Sequence, residues 1–325
     1  MLFDFTTGLF GPPPAFIWWL PAVAFALDLF FGDPAFPPHP VRGLGKVLDI
    51  LEKPAREWFG ERVGGIGAVF VLCGVTALMV EALLALPTGL GLLAGVYLSW
   101  SGLALGSLLR ECRKALAVIE SEDVEAARRA VGMLVSRRTE NMDRRDLCRS
   151  LAETMSENFN DAFVAPFFWL CVGGPVGLWL YKAVSTVDSM WGYKTPRWRR
   201  LGWFGARLDD VLAFLPARLS AVFLYAAGMF SGVGAWPGYA TIRRQARTMA
   251  SPNSGWPMAA AAWLMGASMG GPTPYEEGMV DKPVLGPADL AWTPERLRGL
   301  ASLVRTAGII GVCILWVGIL GLSRL

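Results

Sequence analysis

The chain has 325 residues, 54 % of them apolar, and a mean hydropathy of +0.42. Soluble domains are less apolar, and several runs approach the roughly 20 apolar residues needed to cross a bilayer, so a multi-pass membrane protein is expected rather than a soluble one with a rich core. A net charge of only +3, with no basic run interleaved with aromatics, argues against nucleic acid as a partner; five cysteines without a C-x-x-C pair argue against a disulfide framework or a zinc site.

The first cationic side chain is Arg42, so the N-terminus lacks the basic region of a signal peptide. The first apolar segment, residues 16–31, is therefore expected to stay in the mature protein, with Asp28 near its end. "GDPAFPPHPVRGLG" (32–45) follows, and its prolines predict a rigid, kinked loop at the membrane surface in place of a regular helix. That loop offers Asp33, the only histidine (His39) and Arg42 as candidate substrate contacts. Residues 64–86 and 90–109 are two further apolar runs, and the short link from Pro87 to Gly89 makes them a helical hairpin.

Residues 110–149 carry ten Lys and Arg. Ser121, Glu122 and Asp123 predict a helix start before "VEAARRAVGMLV", and Thr139 predicts another. Residues 110–160 are thus expected to form a mainly helical cytoplasmic segment within one membrane-embedded domain spanning residues 1–325. Two later apolar runs are irregular: residues 162–181 are split by Gly173-Gly174-Pro175, and residues 211–234 contain Pro216 and Arg218. Irregular backbone survives at membrane depth only under cover of protein or a watery cavity. Basic short loops prefer the cytoplasmic side, and such loops lie on both sides of residues 162–181, which favours a dip-and-return there. Residues 304–322 read as a clean final span. No alternation is strong enough to predict a sheet. The expected fold class is an all-α polytopic integral membrane protein, with transmembrane helices, re-entrant or broken helices and a small helical cytoplasmic subdomain. It is expected in the cytoplasmic (inner) membrane, with the active site facing the cytoplasm.

The polar residues fall in clusters beside the apolar runs. If residues 149–161 are helical, Arg149, Glu153, Glu157 and Asp161 share one stripe at a spacing of four. Like charges at that spacing repel, so a cation should balance them. Mg²⁺, which takes oxygen ligands and bridges phosphates, is one candidate; neighbouring arginines on a solvated face are the other. Asn158 lies beside the stripe. "YKAVSTVDSMWGYK" (181–194) adds Lys182, Asp188 and Lys194, and "ARLDDVLAFLPARLSA" (206–221) adds Arg207, Asp209, Asp210 and Arg218. Asp210, Phe214 and Arg218 share a face if the helix tolerates Pro216. An arginine at bilayer depth is costly, so Arg218 either pairs with Asp210 or binds an anion. "SPNSGWP" (251–257) supplies Ser251 and Asn253 in a loop able to present backbone N–H groups to an anion. The chain has no G-x-x-x-x-G-K-[ST] or H-E-x-x-H motif.

In order, "GDP…HPVR…G", "AETMSENFNDAFVAPFFW", "YKAVSTVDSMWGYK", "ARLDDVLAFLPAR", "SPNSGWP" and "YEEG…LG" resemble the cobalamin-biosynthesis CbiB/CobD family, the adenosylcobinamide-phosphate synthases, from about Asp28 to Gly286. The resemblance implies a membrane amide ligase. It would join a propionate carboxylate of adenosylcobyric acid to (R)-1-aminopropan-2-ol or its O-phosphate, using ATP and Mg²⁺. Membrane lipid and other cobalamin-biosynthesis enzymes would be its partners. Carboxylates at Glu153, Glu157, Asp161 and Asp210 supply the acid–base types this chemistry needs, and Glu157, Asp161 and Asp210 are candidate Mg²⁺ ligands. Which carboxylate binds metal and which takes a proton is open at this point. A membrane transporter or binding scaffold for a corrinoid or another anion is the competing class, since broken helices mark transporters too.

Overall fold

A computed structural model of the chain describes residues 19–34, 39–58, 60–121, 123–231, 236–275, 278–288 and 290–322. Residues 16–18 of the first predicted segment, 35–38 of the proline loop, Glu122, residues 232–235 and the two glutamates of "YEEG" lie outside the described residues. The elements in chain order are α1 (Leu20–Phe31), α2 (Pro40–Glu57), α3 (Glu61–Leu84), α4 (Thr88–Ser101), α5 (Leu105–Glu120), α6 (Val124–Gly132) and α7 (Arg144–Asn158). A π-helical turn (Phe159–Val164) leads into α8 (Ala165–Trp191), followed by α9 (Trp203–Leu212), α10 (Phe214–Ser231), α11 (Tyr239–Ala246), α12 (Gly255–Met265), strands β1 (Met269–Tyr275) and β2 (Gly278–Leu285), and α13 (Pro294–Leu322).

Among the described residues, four stretches are long and apolar enough to cross a bilayer: Glu61–Leu84, Gly89–Glu120, Arg144–Trp191 and Pro294–Gly318. A fifth is the pair Trp203–Leu212 and Phe214–Phe230, bent by 44°. The protein is an all-α polytopic membrane protein but for one β-hairpin. Arg144–Trp191 has 48 residues. At about 1.5 Å per residue it is more than twice as long as the ~30 Å hydrocarbon core is thick. It is broken inside α8, where Gly173 (φ −124°, ψ 16°) and Gly174 (φ 60°, ψ −158°) leave the helical region just before Pro175. Gly174 needs the positive φ that only glycine adopts cheaply.

Prolines explain two other irregularities. Pro216 has no N–H for the carbonyl of Leu212, and the chain bends at Ala213, next to that carbonyl. The indole of Trp169 donates to the freed Leu212 oxygen at 3.1 Å. Pro166 likewise lacks the donor that would close the turn before it, and the backbone widens into the π-helical turn there.

The chain forms two compact units. The first comprises the described residues up to Ala104, Ala165–Leu212 and the end of α13 from Val312. In it α3 packs against α2, α8 and α9, and α1 packs against α4. Small residues permit the close approach: a Cβ on Gly64 would sit 1.7 Å from the Ala55 carbonyl oxygen, and one on Gly65 would sit 2.0 Å from that of Leu201. Gly64→Ala must therefore push α3 off α2. We expect a loss of about 1–3 kcal/mol, the usual range for overpacking, read as a lower unfolding midpoint in detergent. An unchanged midpoint would mean that the two helices do not pack this closely.

The second unit comprises Leu105–Val164 and Ala213–Gly311. Here α5 packs on α6 and α7, and α12 packs on α7, α10 and α11. The run Ala259–Ala262 in α12 is fully buried, so its neighbours approach almost to backbone distance. Gln245 of α11 closes the unit: its Oε1 accepts from the Gly286 N–H (2.9 Å) and the Trp263 indole (2.8 Å), and its Nε2 donates to the Gly286 carbonyl (3.2 Å).

Three sequence expectations need correction. Pro40 opens α2 directly, because proline is favoured at the first helical position, and His39 caps that helix. So only the part of "GDPAFPPHPVRGLG" before residue 40 is non-helical among the described residues. Asp123 does cap α6, through Ala126 N–H at 2.9 Å, but α7 starts at Arg144, capped by Asp143, and not at Thr139. Thr139 is buried, and its hydroxyl donates to the Arg128 carbonyl at 2.9 Å. Finally, β1 and β2 pair antiparallel. Their glycines and prolines hide the alternation by which strands are recognised.

Candidate functional site

The predicted site residues divide between the two units, and each unit holds a polar cluster built around carboxylates. In the second unit, α7 places Arg149, Glu153 and Glu157 in one row. Glu153 has no exposed surface. One of its oxygens accepts from Arg137 Nη1 at 2.6 Å, and the other from the Gly270 N–H at 2.8 Å. Arg137 is itself 8 % exposed and also donates to Ser150 at 3.3 Å. Gly270 holds φ 88°, and a Cβ there would lie 2.1 Å from the Pro283 oxygen, so glycine is required where this N–H meets the carboxylate. Arg149 pairs with Asp146 (2.8 Å) and donates to the Pro272 carbonyl (3.3 Å), a second tie from α7 to β1.

Glu157, one turn beyond Glu153, is half-buried and accepts no hydrogen bond among the described residues. It lies in the field of two cations, Lys282 of β2 and Arg137, and of the like charge on Glu153. Asn158 bonds back to its own helix, at the carbonyl (3.0 Å) and hydroxyl (3.1 Å) of Thr154. The π-helical turn displaces Asp161 from the straight row, since wider turns change the angle per residue. Asn160 holds Asp161 instead: its amide donates to the carboxylate at 2.7 Å, while its own oxygen accepts from Ser220 at 3.0 Å.

The expected Asp210–Phe214–Arg218 face does not form, because the helix ends before Ala213. Arg218 donates to Asn253 Oδ1 (2.9 Å) and to the carbonyls of Phe214 (2.6 Å) and Pro252 (3.3 Å). Its guanidinium lies over the rings of Phe214 (3.5 Å) and Trp256 (4.9 Å). The loop at Ser251 does not offer its N–H groups outward, because those of Asn253 (3.2 Å) and Ser254 (3.4 Å) turn onto the Ser251 hydroxyl. Arg218 thus fastens this loop to α10. Arg218→Lys keeps the charge but not the planar fork. The expected loss is about 1–3 kcal/mol, the scale of charge-assisted hydrogen bonds. Unfolding midpoints in one detergent measure it, and an unchanged midpoint would return Arg218 to a ligand-binding role.

In the first unit, Asp188 at the end of α8 and Asp210 of α9 are half-buried and close enough for their charges to interact. Arg207 Nη1 stands 3.7 Å from Asp210 Oδ2, and Lys194 adds a second positive charge. Asp188 Oδ1 lies where a Cβ on Gly192 would be only 2.1 Å away, so the carboxylate rests against bare backbone. Lys182 and Asp209 are half-buried on the same two helices. His39 is used at both ring nitrogens: Nε2 meets Asp33 Oδ1 at 2.6 Å and Nδ1 accepts from the Val41 N–H at 3.3 Å. Arg42 is exposed on the first turn of α2. Arg137, Gln245 and Lys282 were not among the sequence candidates, and only the fold brings them to the carboxylates or the hairpin; Asn160 lies inside the quoted "AETMSENFNDAFVAPFFW", and the fold gives it Ser220 as a partner.

A model of the family described as CobD/Cbib protein matches residues 21–304, most of the chain. The chain belongs to the CobD/CbiB family. Proteins named "Cobalamin biosynthesis protein CobD" are similar along nearly their whole length. The one from Pelobacter propionicus is 36 % identical over 87 % of this chain and 89 % of its own. That from Clostridium perfringens is 32 % identical over 89 % and 92 %, and that from Rhodobacter capsulatus 35 % identical over 90 % and 96 %. No solved structure matches.

Among the described residues of this CobD/CbiB-family chain, no three His, Cys, Asp or Glu side chains gather into a metal cage. Mg²⁺ does not need one: it keeps several waters and is held by one or two carboxylates together with substrate phosphates. Asp188 and Asp210 are two half-buried carboxylates in each other's field, with Arg207 and Lys194 beside Asp210.

Proposed function

We propose that this protein acts in cobalamin biosynthesis as an ATP-dependent amide ligase, joining a carboxylate of adenosylcobyric acid to (R)-1-aminopropan-2-ol or its O-phosphate. Membership of the CobD/CbiB family supports the pathway. The observation that carries the chemistry is the contrast along α7: Glu153 is fully occupied by structural partners, while Glu157 is held among cations with no hydrogen-bond donor of its own. Such an uncommitted carboxylate is suited to a reacting ammonium.

A carboxylate must be activated before it meets an amine in water. In this reading the corrinoid carboxylate attacks the γ-phosphorus of ATP; the bond to ADP breaks and an acyl phosphate forms. The amine nitrogen then attacks the acyl carbon, the C–N bond forms and phosphate leaves. Glu157 takes the proton that the ammonium must lose, the role of a general base. Asp161, oriented by Asn160, holds the amine. Asp188 and Asp210 would hold Mg²⁺, which when bound supplies positive charge to the phosphates. On the same unit as that pair, Lys182, Lys194 and Arg207 would add cationic charge to those phosphates. Glu153 serves as a positioning residue.

Purified protein in detergent, given ATP, Mg²⁺, the corrinoid and either amine, tests this directly. One ADP and one phosphate per amide formed are expected. Tight corrinoid binding with no turnover would instead favour a transporter or scaffold. We further propose that the polar motifs face the cytoplasm from the inner membrane. In a background without the five native cysteines, Arg145→Cys and Arg199→Cys, both at exposed positions, should label from the same side in vesicles of known orientation. Opposite accessibility would rule out the dip-and-return at Gly173-Gly174.

A further inference from the structure

A groove of about 460 Å³ in the first unit lies outside both polar clusters. It is lined by the start of α3 (Glu61, Arg62 and Val63) and by Arg199, Arg200 and Trp203 before and at the start of α9. Its charge is lopsided. Glu61 is engaged by Arg56 at 2.5 Å, and Arg197 of the same basic loop is engaged by Glu52 at 3.0 Å. Among the described residues, no carboxylate pairs with Arg62, Arg199 or Arg200. Arg62 stacks over the Trp203 indole at 4.3 Å, which holds its guanidinium in place.

The groove also sits at a particular level. Glu61 is the first residue of one candidate span and Trp203 the first of the bent pair, so it lies where two apolar stretches meet the aqueous side. Below it, α3 exposes an apolar stripe on one face: Val63 (61 % exposed), Phe70 (65 %) and Leu78 (67 %). Phe70 stacks on Phe204, the neighbour of Trp203, with ring centroids 5.8 Å apart. Three unneutralised guanidinium groups above a continuous apolar stripe match an amphipathic anion whose phosphate and hydrocarbon parts are separated in the same way. Guanidinium groups bind phosphate through a planar fork, and basic pockets beside membrane helices hold acidic headgroups.

We propose that this groove binds the headgroup of an acidic phospholipid, with Arg62, Arg199 and Arg200 on the phosphate and the acyl chains along Val63, Phe70 and Leu78. The occupant is lipid and not free phosphate, because free phosphate would make no use of the stripe. The assignment is independent of the ligase reading, since it uses none of those side chains.

The test is lipid retention by the intact protein. Delipidated protein in neutral detergent is titrated with phosphatidylglycerol or phosphatidylcholine and bound lipids are counted by native mass spectrometry. Phosphatidylglycerol should be retained in preference, and Arg62→Gln/Arg199→Gln/Arg200→Gln should weaken that retention by about tenfold or more. A control triple, Arg110→Gln/Arg138→Gln/Arg145→Gln, removes the same charge elsewhere and should retain the lipid as wild type does. If the first triple variant is not monodisperse, Arg199→Gln and Arg200→Gln singly should each show part of the loss. Equal retention in these variants and wild type, an equal loss in the control, or displacement of the lipid by millimolar inorganic phosphate overturns the proposal.

Discussion

Arg137→Met should destabilise the protein by about 3–5 kcal/mol, the cost of breaking a buried ion pair by removing one partner. That is a large share of the roughly 5–15 kcal/mol that separates folded from unfolded states of ordinary domains. The reason is Glu153: it is fully buried, and without Arg137 its charge keeps only the Gly270 N–H for compensation. A second substitution separates charge from shape. Glu153→Gln keeps a carbonyl oxygen for the Gly270 N–H and removes the charge. The double variant Arg137→Met/Glu153→Gln should therefore be more stable than Arg137→Met alone. Thermal unfolding of the single and double variants in the same detergent measures this. A double variant no better than the single would show that the charge on Glu153 is not what Arg137 serves.

Glu157→Gln should lower amide formation by about 10²–10⁴-fold, the usual contribution of a general base, while leaving the unfolding midpoint near that of wild type. The second half of the expectation follows from the missing hydrogen bonds: neutralising Glu157 gives up the attraction of Lys282 and Arg137, but it also relieves the burial of a charge and the repulsion from Glu153. Asp210→Asn should behave differently. It weakens the Asp188–Asp210 pair, so the Mg²⁺ concentration for half-maximal rate should rise, with partial recovery at high Mg²⁺. Wild-type turnover in both variants would make these residues structural or solvated charges. A Glu157→Gln variant that loses stability in proportion to activity would do the same for that residue alone.

Hydropathy made the spans legible, because a bilayer imposes a length and a polarity that need no knowledge of neighbours. The break at Gly173-Gly174-Pro175 was legible for a similar local reason. At Pro216 the sequence shows a disturbance but not its place: the bend falls at Ala213, since proline disables the carbonyl four residues behind it. That shift removed Arg218 from the expected row with Asp210. The hairpin was invisible, because Gly270, Gly271, Pro272 and Pro274 read as loop and erase the alternation that marks a strand. The stripe of carboxylates was legible as spacing but not as function. Glu153 and Glu157 differ by one turn of helix, and only the hairpin and Arg137 decide that one is consumed by structure and the other is left over.

The fastening of β1 to α7 also bears on how substrates arrive. Swinging the base of this hairpin aside would strip the Gly270 donor from a carboxylate with no access to water, and would undo the Arg149 contact to Pro272 as well. Hinged flaps open readily when their closed contacts are wet, and the Gly270 contact to Glu153 is buried. The hairpin base is thus a fixed wall. If Glu157 is the base proposed above, a ligand reaching it meets a surface already in place at this point, with no closure of the hairpin base to wait for.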